Sequence, residues 1–176
     1  EQLLKQGLRA YVVAAAMSTI RSGKLGPNTA AGMTFDSLNE VKSKVAPVTS
    51  MLIHPSADLD EHFNVKDIIV RWWNGKGGMP GEGVINDLEV RRQVWISEYE
   101  SYRESATKIT QEYGDRFDSV ESPVWDEVEE AIRREIVPRT RIDVINSRPE
   151  SDERPQFGAW VDNCGVWHSP VKIGRA

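Results

Sequence analysis

The sequence has a single cysteine, Cys164, so the chain can form no internal disulfide and its cysteine usage indicates no redox compartment. A long hydrophobic run is also missing. The longest apolar stretch, from Ala10 to Met17, is too short to cross a bilayer and has no signal-peptide flank. We therefore expect a soluble protein without a membrane span, in a compartment that the sequence does not indicate.

The sequence has no surplus of basic charge. The net charge is −5, and residues 84–137 carry 14 acidic side chains against 7 basic ones. An acidic surface repels phosphate, so we do not expect nucleic acid to lie along this region. The 176 residues and the 39% apolar content are enough to bury the core of one domain with arms.

The longest periodic stretch runs from Val84 to Tyr113. Its bulky apolar side chains recur mostly at steps of three and four residues, as on one face of an α-helix. They are Ile85, Leu88, Trp95, Tyr99, Tyr102, Ala106, Ile109 and Tyr113. Asn86 and Glu89 form a candidate capping box, and Gly114 is a candidate C-cap. The pattern predicts one continuous helix, roughly 45 Å long, whose aromatic stripe is largely buried.

The same periodicity, with helix start and stop signals, predicts shorter helices elsewhere in the chain. They cover residues 2–22, 37–46, 65–73 and 123–137. Asp58 with Glu61 and Asn64 with Asp67 are competing starts for the third of them. The predicted fold is mainly α, a helical bundle of about five or six helices around one long central helix.

The last forty or so residues change in character. Residues 147–156 are polar, charged and proline-bearing, which predicts a linker between a helical domain at 1–146 and a C-terminal segment at 157–176. Trp160 and Trp167 flank a DNCG turn, so this segment is either a β-hairpin or an extended arm that docks on a neighbouring subunit.

Two adjacent tryptophans cannot both point into the core from one helix, and we expect Trp73 rather than Trp72 to point outward. Exposed tryptophans tend to mark contact surfaces, so Trp73, Trp160 and Trp167 are the candidate contacts with a protein partner. Cations next to indole rings also suit base stacking. The alternative nucleic-acid site consists of Arg71, Trp72, Trp73 and Lys76.

His54, Asp58 and His62 are the weak candidates for a metal site, because carboxylate and imidazole groups hold Mn, Mg or Zn. No HExxH or paired-cysteine pattern supports them, and Asp58 doubles as a helix cap. We therefore expect no metal and no other cofactor.

Two further motifs suggest chemistry only weakly. The glycine-rich run at 75–83 could cradle phosphate, but Lys76 comes too early for a P-loop and Glu82 sits where the phosphate would go. Cys164 and His168 lack neighbours that would lower the thiol pKa. A flexible connector and an incidental cysteine are the simpler interpretations.

Three function classes remain. We expect a non-enzymatic assembly or interaction subunit, a homo-oligomer that could be a self-associating structural component of a viral or phage particle. The alternatives are a nucleic-acid-associated protein that uses the site at Arg71–Lys76, and a metal-dependent hydrolase or nuclease that uses the His54–His62 cluster. Without a convergent catalytic set, the sequence favours the non-enzymatic class but leaves catalytic activity open.

Overall fold

The computed structural model describes residues 1–114 and 122–144, together with the backbone of 160–161 and 167–168. Within these residues the chain is mainly helical, which confirms the predicted class. The α-helices are α1 (Gln2–Arg21), α2 (Leu38–Lys44), α3 (Leu59–Asn74), α4 (Glu82–Val90), α5 (Arg92–Tyr113) and α6 (Trp125–Ala131). A π-helical turn at Ile132–Ile136 and a 3₁₀ turn at Val137–Arg139 extend α6.

Three two-residue strands are also present: β1 (Thr34–Phe35), β2 (Trp160–Val161) and β3 (Trp167–His168). The backbone of β3 pairs antiparallel with β1 and with β2. The predicted linker at 147–156, the side chains of β2 and β3 and the remainder of the segment 157–176 lie outside the described residues. The hairpin or docking arm therefore stays a prediction.

Helix α1 is buried on more than one side along most of its length. Its fully enclosed residues include Val12, Val13, Ala15, Ala16 and Met17. Helices α5 and α6 and the π-helical turn all contact α1, and the two alanines allow them to approach closely. A helix that is apolar around most of its circumference is typical of the interior of a protein.

The predicted single helix at 84–113 is wrong, because the chain forms two helices that meet at Arg91. Arg91 has φ −117° and ψ 32°, outside the helical region, and this breaks the regular hydrogen-bond ladder. Helix α4 begins at Glu82, before the predicted capping box at Asn86 and Glu89. The apolar faces of α4 and α5 both point towards the core. The three- and four-residue spacing of apolar side chains therefore continues across the break at Arg91.

The aromatic stripe of α5 is buried only in its first half. Trp95 is fully buried and Tyr99 is buried, while Tyr102 packs at the edge of the core. Ile109 and Tyr113 are 52% and 47% exposed, so their predicted burial is wrong. Helix α5 therefore extends beyond the part of the described chain that covers its apolar face.

The boundaries of α6 also differ from the prediction. The helix begins at Trp125 rather than Pro123. At its start, the Glu127 carboxylate accepts a hydrogen bond from the backbone N–H of Val124 at 3.1 Å. The helical path also continues past the predicted end at residue 137, because the last turn tightens into a 3₁₀ turn that takes Pro138 near its start.

A buried polar cluster, formed by Arg9, Asp87 and Trp95, joins α1, α4 and α5. Arg9 donates from Nε to Asp87 Oδ2 at 2.8 Å and from Nη2 to Oδ1 at 3.0 Å, and Trp95 Nε1 donates to Oδ2 at 2.9 Å. Burial alone would raise the pKa of Asp87, but the hydrogen bonds from Arg9 and Trp95, with the charges of Arg9 and Arg91, hold the pKa below its ordinary value of 3.8.

We expect Trp95→Ala to lower the free energy of unfolding by about 3–5 kcal/mol, because it empties a fully buried site. Trp95→Phe keeps most of the buried area and removes the indole donor, so it should cost less. Urea denaturation compares the two variants with the parent. A loss below about 1 kcal/mol for Trp95→Ala would mean that the ring is not part of the core.

Stability should also depend on the charge of Asp87. A lowered folded-state pKa means that the ion pair stabilises the fold fully above the ordinary pKa of 3.8, and that this stabilisation is lost as pH falls through the folded pKa. Between about pH 5 and pH 2, the parent should lose stability more steeply than Asp87→Asn. Equal slopes in urea denaturation at several pH values would contradict a charged Asp87.

The same variant should be less stable at neutral pH. Asparagine leaves the buried Arg9 guanidinium without a counter-charge, at a cost of about 3 kcal/mol or more. Glu89→Gln is the matched control, because the Glu89 carboxylate is exposed and its ion pair with Arg133 lies at the surface.

Candidate functional site

Two of the three metal candidates, Asp58 and His62, lie at the start of α3. Asp58 is the N-cap, and its side chain accepts a hydrogen bond from the Asp60 N–H at 2.9 Å. His62 Nε2 lies 3.0 Å from the carbonyl oxygen of Ser56, and the rings of His54 and His62 meet edge to face with centroids 5.3 Å apart. Within the described residues, no group of three or more His, Cys, Asp or Glu side chains could hold a metal ion.

A small cavity of about 60 Å³ lies beside the two histidines, between α3 and the segments 52–55 and 142–144. Its floor is apolar and includes Ile69 and Val144, and Lys66 and Asp143 also line it. Asp143 is buried and lies 3.5 Å from Arg141, so its carboxylate faces a cation. The cavity has room for a few water molecules, but its geometry does not assemble a nucleophile with a base.

The two adjacent tryptophans take the opposite orientations to those expected. Trp73 is only 3% exposed and belongs to the main core, so its predicted outward position is wrong. Trp72 is half-buried, and the Arg9 guanidinium lies over its ring at 5.8 Å from the centroid. Helix α3 begins after its N-cap Asp58 rather than at Asn64, and Trp73 near its end belongs to the same core cluster as Val84 and Leu88 of α4.

The orientations of Trp72 and Trp73 weaken the alternative nucleic-acid site. Arg71 and Lys76 are exposed, but the buried Trp73 ring has no free face for a base, and Arg9 covers one face of Trp72. Base stacking needs an open aromatic face. The two cations alone give a much weaker site than the predicted combination.

The glycine-rich run forms a tight connection between α3 and α4. A Cβ on Gly83 would clash with the carbonyl oxygen of Trp72, and Gly75 has φ +67°, so the backbones approach more closely than larger residues allow. The Glu82 carboxylate lies against Gly77, where an anion bound by this turn would sit. Close packing therefore explains these glycines better than phosphate binding does.

The distal part of α5 carries an apolar face that the described chain covers only in part. Tyr102, Ala106, Ile109 and Tyr113 are separated by four, three and four residues, which continues the alternating spacing of the buried Trp95 and Tyr99. We call the four the distal seam. The remaining residues of this part of α5 are mostly polar or charged, including Glu100, Arg103, Glu104, Lys108 and Glu112.

Other predicted contacts lie outside the described side chains. Trp160 and Trp167 belong to this group, as do Cys164 and His168. Their proposed roles stay predictions. Among the described helices, none combines the length and the hydropathy that a membrane span requires.

Sequence reasoning missed the polar cluster of Arg9, Asp87 and Trp95. A signal was present, because Arg9 interrupts an otherwise apolar and small-residue stretch of α1 and a buried arginine needs an acidic partner. Which of the many acidic residues would serve as the partner depended on tertiary packing.

No protein-family model, curated protein or solved structure matches this chain.

The role of Asp58 can be tested with two substitutions. Asp58→Ala removes the cap of α3 and should cost about 1 kcal/mol of stability, whereas Asp58→Asn keeps a side-chain oxygen that can cap and should cost much less. Thermal unfolding with and without Mn²⁺, Mg²⁺ or Zn²⁺ supplies the measurement. A metal-dependent stabilisation of the parent that both variants lose would revive the metal site.

Proposed function

We propose that this protein is a non-enzymatic assembly subunit that binds a second copy of itself through the distal seam of α5. The observation that supports this function is the continuation of one apolar stripe past the edge of the core. Trp95 and Tyr99 are buried by the chain's own helices, whereas Ile109 and Tyr113 repeat the same spacing and are about half exposed.

The spacing favours another helix as the partner. Alternating steps of three and four residues are the heptad repeat, in which a seam on one helix packs against the seam of another. Apolar side chains at these positions become stabilising when a second helix removes them from water. A polar ligand would gain little from such a stripe.

The charges beside the seam favour a partner that also carries both signs. Between residues 100 and 113, acidic and basic side chains alternate along the helix: Glu100, Arg103, Glu104, Lys108 and Glu112. Nucleic acid would meet a mixed and slightly acidic surface there, which disfavours phosphate. A second copy of the same helix carries matching charges of both signs.

The proposal predicts that Ile109→Lys reduces self-association. A lysine in the seam places a charge in the contact, so the mass in solution should fall towards that of one 19.8 kDa chain. Light scattering over a series of protein concentrations measures the mass. Stability of the isolated chain should change by less than about 0.5 kcal/mol, because the residue is half exposed.

Gln111→Lys is the matched control, because it adds the same charge to α5 two residues away, off the seam, and should leave the mass unchanged. A parent that is a single chain at every concentration would contradict the proposed function. If Ile109→Lys also destabilised such a single chain, another segment of the same chain would be the partner of the seam.

A further inference from the structure

We infer that residues 25–46 form a unit that opens separately from the rest of the fold and is held closed by the Glu135 carboxylate. The unit contains β1 and α2. This inference is independent of the proposed function. It depends on three features of the described chain: a second apolar cluster, the hydrogen bonds that Glu135 accepts, and the two segments that lead into and out of the unit.

The unit has an apolar cluster of its own. The buried members of this cluster all come from one short stretch of chain and are distinct from the main core: Ala30, Phe35, Val41 and Val45. The ends of the stretch are joined by backbone hydrogen bonds. Leu25 N–H donates to the carbonyl of Lys44 at 2.8 Å, and Ala46 N–H donates to the carbonyl of Leu25 at 2.9 Å. A stretch that closes on itself around its own apolar cluster is typical of a cooperative unit that unfolds locally.

One carboxylate connects this unit to the π-helical turn after α6. Glu135 accepts hydrogen bonds from the backbone N–H groups of Asn28 at 2.8 Å and Thr29 at 2.9 Å, and from the Thr29 hydroxyl. Beside it, Arg139 donates from Nε to Oδ1 of Asn28 at 2.8 Å. Hydrogen bonds to an ionised acceptor are roughly twice as strong as those between neutral groups. We call these contacts of Glu135 and Arg139 the clasp.

The Glu135 carboxylate packs directly on the backbone of the unit. A Cβ on Gly26 would clash with the carboxyl group, so a larger residue at this position would push Glu135 away from Asn28 and Thr29. The clasp can therefore be weakened by a substitution on either of its two sides.

The segments at the two ends of the unit allow it to move. Gly23, just before the unit, is exposed and has φ +61°, a conformation that glycine adopts without strain. After the unit, residues 47–58 contain neither helix nor strand. Loop residues of this kind absorb the dihedral changes of a hinge. Opening would expose Phe35 and Val41 to water and would displace β1, whose backbone pairs with β3.

Amide hydrogen exchange of the full chain tests whether the unit opens separately. Residues 25–46 report the opening of the unit, and residues 12–17 of α1 report the opening of the main core. Trp95→Phe weakens the main core, which stays intact when the unit alone is open. The substitution should therefore accelerate exchange at 12–17 and leave exchange at 25–46 within about twofold of the parent. Equal acceleration of both regions would overturn the inference, because the unit would then open only with the whole chain.

Two further variants test the clasp. Glu135→Ala removes the acceptor and Gly26→Ala displaces it, and each should accelerate exchange at 25–46 by about tenfold, because hydrogen bonds to a charged group are lost. Glu130→Ala is the matched control, because it removes a carboxylate of α6 whose ion pair with Arg134 is exposed, and it should leave exchange at 25–46 unchanged. If neither clasp variant exceeded this control at 25–46, the role of Glu135 would be overturned.

Discussion

The buried ion pair between Arg9 and Asp87 determines how α1, α4 and α5 fit together. The guanidinium and the carboxylate are both largely removed from water, and such charges are tolerated only when they are paired and hydrogen-bonded. Asp87 satisfies Arg9 with both oxygens and also accepts the indole N–H of Trp95. Movement of α1 or α4 would leave a largely buried charge without its partner, and movement of α5 would remove the indole donor from Asp87.

The break at Arg91 is compatible with this cluster. Asp87 lies in the last turn of α4 and Trp95 in the first turn of α5, and a hydrogen bond joins their side chains across the break. On the other side of α5, Arg92 reaches Glu129 at 3.1 Å and Asp126 at 3.4 Å on α6. Side-chain contacts therefore connect Asp87, before the break, to α1, and Arg92, after the break, to α6.

Helix α5 has two different environments along one apolar face. Its first half packs against α1 and α6, where the edge-to-face contact of Tyr99 with Trp125 and the hydrogen bond of Tyr99 to the carbonyl of Pro123 complete the core. Its second half carries the same spacing without such neighbours among the described residues. The same repeat is therefore buried in the interior of the chain at one end and exposed at the other, and the proposed function assigns the exposed end to a contact between copies.

The motifs that suggested chemistry have structural roles in the described residues. Asp58 caps a helix, Gly75 and Gly83 allow two backbones to touch, and Trp73 fills the core. These residue types are shared by ligand sites and by ordinary helix ends and tight connections. Short-range sequence patterns do not distinguish the two uses, because the distinction depends on which distant residues come close.

The sequence by itself determined the helical class, the approximate positions of α1, α2 and α3 and the inward side of α4 and early α5, because helix caps and apolar spacing act within a few residues. Tertiary structure decided where that spacing is interrupted, at Arg91, and where burial ends, after Tyr102. It also decided that Trp73 rather than Trp72 is enclosed and that Asp87 is the partner of Arg9. Apolar periodicity reports which side chains share a face, whereas burial requires a neighbour on that face, and the neighbours of α5 come from residues far away in the sequence.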